Sequence, residues 1–229
     1  MKIFAIGDLH LPGNAGKPMD VFGTGWERHS ERIAEAWADL VGESDLMLIP
    51  GDISWAMRID AAAEDLCLVS KLPGRKVLIR GNHDYWWNSV SKVRAALGEN
   101  AYALQNDSIT IGGVSIAGSR GWNLPGSNGF NNEDEKIYKR ELLRLNLSLS
   151  SMDKGNVRIA MTHFPPMGDN LKDTGFTDLL KEHHVQYAVY GHLHGRACRN
   201  AFEGEMDGIR YFLCSADHLG FTPRLIAEV

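Results

Sequence analysis

The chain has few cysteines, no apolar run long enough to cross a bilayer, and no excess of basic residues. Each shortage removes a class of protein. Cys67, Cys198 and Cys214 are odd in number, widely spaced and without a Cys-x-x-Cys pair, so neither a disulfide framework nor a zinc–thiolate site is encoded. Cys67 lies in an apolar helical pattern and Cys214 at an apolar strand end, and both read as core thiols. Without a candidate span the chain gives no reason to expect a membrane partner. No leader precedes the first apolar run at Ile3, which makes the cytoplasm the expected compartment. Lys and Arg number 24 against 29 Asp and Glu, a net charge of −5. That balance argues against a nucleic-acid binder held by a basic face, though a local basic pocket remains compatible. Repeats, charge runs and low-complexity tails are missing too, and no linker demands a boundary, so residues 1–229 read as one domain.

What the chain does have is alternation. Apolar runs at 3–6, 46–49, 77–79, 157–161 and 186–190 read as strands, and the stretches 26–41, 59–72 and 89–97 carry helical periodicity between the early ones. This is the rhythm of a mainly parallel sheet. The middle differs: 102–104, 108–111 and 114–117 are short strands separated by turn residues and suggest an antiparallel meander. A long helix follows over 133–150, with Tyr138, Leu142, Leu145 and Leu149 on one face. Strand signals return at 209–213 and 224–227. Two packed sheets with helices outside fit the mixture. The stretches 11–25 and 121–132 resist regular structure and follow strand ends, where loops commonly shape a site.

Five strand ends carry short polar clusters: Gly7-Asp8-Leu9-His10, Gly51-Asp52, Gly81-Asn82-His83-Asp84, Thr162-His163 and Gly191-His192-Leu193-His194. Ligands of open α/β sheets bind at the carboxyl edge, and Asp, Asn and His together suit divalent transition ions. Asp8 and His10, like His192 and His194, stand two apart and face the same way in extended chain. Asp52 can bridge two cations with its two oxygens, Asn82 offers a neutral oxygen, and His163 an imidazole. Two such ions can clamp the attacking and leaving oxygens of a displacement and activate a water as hydroxide. Their residual positive charge favours a phosphate oxyanion. His83 is not needed to complete a coordination shell; it reads as a general acid for the leaving-group oxygen or as an oxyanion stabiliser. Asp84 is placed to orient its ring.

These motifs, in this order, resemble the calcineurin-like metallophosphoesterase superfamily over nearly the whole chain. The resemblance implies an α/β fold of four layers, an α-β-β-α sandwich with two mixed β-sheets flanked by helices. It implies one metal held by Asp8, His10 and His194, a second held by Asn82, His163 and His192, and Asp52 between them. His83 corresponds to the catalytic histidine, with Asp84 as its partner, and the metals would be manganese, iron, zinc, nickel or cobalt. The sequence departs from the pattern at one place: many members continue the second motif as Gly-Asp-x-x-Asp, and here Trp55 stands in the last position. The expected activity is hydrolysis of a phosphomonoester or phosphodiester in a small phosphorylated substrate, a nucleotide included. The alternative is a non-catalytic metal-binding scaffold or protein-interaction module of the same fold. A mononuclear zinc hydrolase would leave Asn82 and His163 unexplained.

Other residues carry weaker signals. Arg120 and Arg196 lie near strand ends and can fork onto a phosphate. Trp55 and Trp122 can wall a leaving group, whereas Trp86 and Trp87 suit core packing. His29, His183 and His184 fall on helical patterns and are expected to face solvent. His218 follows the strand-end string Cys214-Ser215-Ala216-Asp217 and is expected to be structural.

Overall fold

The computed structural model describes residues 1–13, 19, 23–168 and 173–229. In chain order the elements are β1 (Lys2–Ala5), α1 (His29–Leu40), β2 (Leu46–Ile49), α2 (Ala63–Lys71), β3 (Arg75–Leu78), α3 (Val90–Ala96), β4 (Ala101–Ala103), β5 (Ser108–Ile111), β6 (Val114–Ser119), α4 (Asn132–Ser150), β7 (Val157–Thr162), α5 (Gly175–Glu182), β8 (Tyr187–Tyr190), β9 (Gly204–Met206), β10 (Ile209–Leu213) and β11 (Arg224–Glu228).

Two mixed sheets result. One has the order β11-β1-β2-β3-β4, with β1 to β4 parallel and β11 antiparallel at the edge. The other has the order β5-β6-β7-β8-β10-β9, with β6, β7, β8 and β10 parallel and an antiparallel strand at each edge. Ile3, Leu46, Leu48 and Val77 of the first sheet meet Val114, Ile116, Ile159 and Val189 of the second in a buried layer. The opposite face of the first sheet packs Phe4, Met47, Ile49 and Leu78 against Ile33 and Trp37 of α1, Leu66 and Val69 of α2 and Val93 of α3. The opposite face of the second packs Ala160, Ala188 and Tyr211 against Tyr138, Leu145, Phe176 and Leu180 of α4 and α5. The layers are therefore α-β-β-α. Both faces of the central strands are covered, which is why β2 reads Leu-Met-Leu-Ile without alternation and is wholly buried.

The chain order also corrects three expectations. The strands of the middle region do not form one meander. β4 pairs parallel to β3 in the first sheet, and only β5 and β6 form the antiparallel hairpin, in the second. Short strands separated by turns announce strands, but the partner depends on the crossover at 104–107. Cys67 is exposed rather than in the core, because α2 buries Asp65, Leu66 and Val69 and turns its other face outward. His29 is buried rather than solvent-facing, at the first turn of α1.

Candidate metal centre

The site is built at one edge because β1, β2, β3, β7 and β8 are parallel strands that end there. Asp8 and His10 follow β1, Asp52 follows β2, Asn82 and His83 follow β3, His163 follows β7, and His192 and His194 follow β8. The two sheets are tied at this edge, where Gly7 bridges Ser215 beyond β10 and Gly7 N donates to Cys214 O at 2.6 Å; within the first sheet Asp8 N donates to Gly51 O at 2.9 Å.

The side chains converge in two groups. His10 Nε2 lies 3.3 Å from His194 Nε2, which lies 3.8 Å from Asp8 Oδ1. Across the site, Asn82 Oδ1 lies 2.6 Å from His163 Nε2 and 2.9 Å from His192 Nδ1. Asp52 Oδ2 stands between the groups, 3.4 Å from His163 Nε2 and 3.9 Å from His10 Nε2. Ligand atoms of Asp8, His10 and His194 all fall within 4.8 Å of one another, as do those of Asp8, Asp52 and His163. Asp8 thus stands in both groupings, whereas the resemblance assigns only Asp52 to the junction.

The donor chemistry fits cations. His163 Nδ1 donates to Pro50 O at 2.9 Å, so its Nε2 presents a lone pair toward Asn82 Oδ1 and Asp52. Burial holds His163 down to about 3, so a second proton on the ring is strongly disfavoured. Burial and neighbouring His163 hold His192 down to about 3 as well. Burial pushes the Asp8 carboxyl above its usual range against the pull of His194, and Asp52 pushes it the same way. Asp8 Oδ1 and His10 Nδ1 are buried without a hydrogen-bond partner. A buried carboxylate oxygen without a donor, as at Asp8 Oδ1, and an imidazole lone pair facing an amide oxygen, as at His163 Nε2, are costly in a dry interior. Divalent cations relieve that cost, and oxygen with imidazole nitrogen is the donor set of transition ions.

Residues around the ligands orient them. Asp217 Oδ1 lies 2.9 Å from His194 Nδ1, and Gly195 N donates to Asp217 Oδ2 at 2.9 Å. Burial opposes the His194 charge, but the hydrogen bond to Asp217 and the charge of Asp8 raise its pKa overall. The His29 ring meets His10 O at 3.1 Å and Trp26 O at 3.2 Å, which fixes the turn that carries His10. Neither Asp217 nor His29 stands out in the sequence as a site residue. The signal for Asp217 is its place after a sixth apolar run, β10; His29 leaves no signal beyond its residue type.

Asp84 departs from its expected role. Its carboxylate accepts from Gly81 N at 2.8 Å, Asp52 N at 2.9 Å, Ile53 N at 2.8 Å, Ser54 N at 3.3 Å and Trp86 Nε1 at 3.0 Å. With five donors around it and no exposed surface, it organises the Asp52 turn rather than orienting the His83 ring. The hydrogen-bond neighbour of that ring is Tyr85, whose Oη lies 3.5 Å from His83 Nδ1. His83 N donates to Asp52 Oδ1 at 2.8 Å, which ties the position of His83 to the centre of the site.

The backbone is strained where it delivers ligands. Asp8, His10, Asp52 and His192 have φ of 54°, 43°, 51° and 73°, left-handed values that cost roughly 1–2 kcal/mol each in an ordinary L-residue. Among the glycines of the motifs, Gly51 has the positive φ of a turn, 93°, whereas two others serve by their missing side chain. Gly81 and Gly191 have no positive φ; a Cβ at Gly81 would overlap the Asp52 carboxylate, and one at Gly191 the Asp8 carboxylate.

A cleft of about 310 Å³ opens onto His10, Asp52, His192 and His194, and His83 lines it with Trp26 and Trp55. Trp55, in the place of the second aspartate of the motif, stacks on the His10 ring at 4.8 Å and 20° and stands 4.7 Å from the His83 ring. Its Nε1 donates to Met19 Sδ at 3.0 Å. Trp86 and Trp87 are core residues as expected. Trp122 and Phe164 line a neighbouring hollow of about 760 Å³ together with Asn123 and Asn128, so part of 121–132 does border the site. Most of 11–25, namely 14–18 and 20–22, lies outside the described residues. Arg196 is exposed on a 3₁₀ turn, and His218 pairs with Glu203 at 3.0 Å. Arg120 pairs with Glu141 and is outside the cleft.

The chain belongs to the calcineurin-like phosphoesterase family, whose model matches residues 1–196. Among proteins it is similar to, the Gene 66 protein of Mycobacterium phage D29 is 26% identical over 199 residues, 87% of this chain and 81% of the relative. The Gene 66 protein of Mycobacterium phage L5 is 24% identical over 168 residues, 73% of this chain and 65% of the relative. Among solved structures, the phosphopantetheinyl hydrolase of Mycobacterium tuberculosis aligns with a TM-score of 0.61 at 15% identity, covering 100% of this chain and 96% of that one. A protein of unknown function from Aquifex aeolicus aligns with a TM-score of 0.53 at 15% identity, covering 98% and 95%. At that identity these two likenesses establish a shared fold.

Proposed function

We propose that the protein is a phosphoesterase that uses two divalent transition ions to hydrolyse a small phosphorylated substrate, either a phosphomonoester or a phosphodiester. The observation that carries this reading is that His83 and four of the candidate ligands open into one cleft. Asp8, His10 and His194 would hold one ion, and Asn82, His163 and His192 the other, with Asp52 between them. When bound, the pair supplies Lewis acidity to the phosphoryl oxygens and lowers the pKa of water toward neutrality.

The chain's own residues do the remainder. Asp52 fixes His83 through the backbone N–H, at the mouth of the cleft. With Nδ1 turned toward Tyr85, His83 Nε2 is the nitrogen left to carry a proton to the departing oxygen. Trp26, Trp55 and Met19 give the same cleft an apolar wall, which excludes water from the leaving group and suits an aromatic or alkyl one. Nucleotides meet that description, and so does a phosphopantetheinyl group, the substrate in the name of the M. tuberculosis neighbour. A nucleic-acid polymer is disfavoured by the net charge of −5. The free thiols of Cys67, Cys198 and Cys214 suit a reducing, cytoplasmic setting.

The test is turnover of an aryl phosphate and of its diester with manganese, cobalt, nickel, zinc or iron added singly, together with the metal content per chain. Two ions per chain and turnover that chelation abolishes are expected. Bound metal without turnover on either ester, or across a screen of nucleotides and phosphopantetheinyl esters, would return the chain to the scaffold alternative.

A further inference from the structure

A second concentration of charge lies beside the metal centre but outside its cleft. Arg80 follows β3 two residues before Asn82, and Arg120 follows β6, where its carbonyl accepts from His163 N at 3.0 Å and Phe164 N at 2.9 Å. These two arginines, with Arg140 and Arg144 from α4, line a cavity of about 220 Å³. Among the described residues that line it, one is acidic, and it pairs with three of the four arginines. Glu141, 1% exposed, places Oε1 at 2.8 Å from Arg144 Nη1 and 3.6 Å from both Arg120 Nη2 and Arg140 Nε.

The ion pairing is unbalanced. One carboxylate against four cations leaves three positive charges around a small, partly open volume, and among the described residues no carboxylate pairs with Arg80. Arg80 Nε and Arg120 Nε are buried with no hydrogen-bond partner, two donors against one unpartnered acceptor, Glu141 Oε2. Arg120 is braced from one side by Trp122, whose ring lies 4.4 Å from the guanidinium carbon. Burial weighs against the Arg120 charge, as do Arg80, Arg140 and Arg144, with Glu141 opposing. A purely structural cluster would bring carboxylates to match. One held at a positive surplus, with donors left over, is arranged for an anion from outside.

We propose that this cavity is a second anion site, separate from the metal centre, that binds a phosphate group. Guanidinium forks match the oxygens of a tetrahedral phosphate, and Arg120 and Arg80 supply the inner donors while Arg140 and Arg144 close over it from α4. The volume accommodates one phosphate with a few waters of about 30 Å³ each, not a polymer backbone. The phosphate is either free or the second phosphate of a doubly phosphorylated substrate whose first is at the metals. The site does not depend on the metal reading, because none of its side chains is a candidate ligand.

The experiment is equilibrium dialysis of the metal-loaded protein against labelled inorganic phosphate, before and after chelation. Arg140 and Arg144 are half exposed, so R140Q/R144Q is expected to fold, which its melting temperature verifies. The wild type is expected to keep one phosphate per chain after the metals are removed. R140Q/R144Q should weaken that phosphate by about tenfold or more, the scale of one charged hydrogen bond, and Glu141→Gln should tighten it. KM then separates the sources: a rise in R140Q/R144Q confined to a bisphosphorylated substrate identifies the substrate's second phosphate, and unchanged KM for both substrates identifies the free anion. Loss of all bound phosphate on chelation, or equal binding by wild type and R140Q/R144Q, overturns the site.

Discussion

Asp217 and His194 form a pair at 2.9 Å that sets which nitrogen of the imidazole faces the centre of the site. The carboxylate accepts a hydrogen bond from Nδ1–H and so leaves the lone pair of Nε2 facing Asp8 and His10. Asp217→Asn keeps the shape but weakens that acceptor. The expected outcome is a loss of about 10–100-fold in affinity for the ion served by His194, with the other ion retained. Metal titration followed by stoichiometry checks this, and equal loss of both ions would show that Asp217 acts on the whole fold.

Asp52 Oδ2 is within 4 Å of one imidazole from each group of candidate ligands, at 3.4 Å from His163 Nε2 and 3.9 Å from His10 Nε2. Asp52→Asn should therefore weaken both ions together. Loss of one ion alone, read by the same stoichiometry, would contradict a shared carboxylate.

His83 touches the site through its backbone and lines the cleft with its ring. His83→Ala should slow turnover by about 10²–10⁴-fold, the usual contribution of a general acid, while metal content stays unchanged. The deficit should shrink for esters with good leaving groups, which need less protonation. A uniform deficit across leaving groups would assign the ring to charge stabilisation instead.

Asp84 holds four backbone N–H groups and the Trp86 indole in a site with no solvent. Asp84→Asn sets an amide NH₂ against those donors. A loss of about 1–3 kcal/mol per unsatisfied buried group is expected, seen as a lower denaturation midpoint, with weaker metal binding because the Asp52 turn loosens. An unchanged midpoint would show that the turn holds without it.

Gly81 has an ordinary φ, and its missing Cβ leaves room for the Asp52 carboxylate. Gly81→Ala should reduce metal content at both candidate ion positions while leaving the far-ultraviolet circular dichroism native. Full metal occupancy in this variant would show that the Asp52 loop moves aside at little cost.

Much of the centre is written in the order of residues along the chain. Asp8, His10, Asp52, Asn82, His163, His192 and His194 are legible there because each follows an apolar run, and parallel strands that share an edge must bring such ends together. The same runs suggest two packed sheets with helices outside; the four-layer order is what the family resemblance implies, and the structure has it. Less legible are residues whose role depends on direction. Asp84 adjoins His83 in the chain, yet its carboxylate turns to the loops after β2 and β3, where the N–H groups of Asp52, Ile53, Ser54 and Gly81 donate to it. Trp55, where many family members carry a carboxylate, is an aromatic wall packed on His10. His29 and Cys67 exchange their expected environments, since helical period fixes spacing between residues but not which face a helix turns inward.

The sequence alone determined the alternation of strand and helix and the polar residues at strand ends, because both follow from local periodicity and residue chemistry. Only the tertiary structure decided that β4 and β5 belong to different sheets, that Asp217 supports His194, and that four arginines from three separate segments line one cavity with Glu141. Those relationships join residues far apart in the chain, and their energies arise from burial and pairing that exist only once the two sheets have packed.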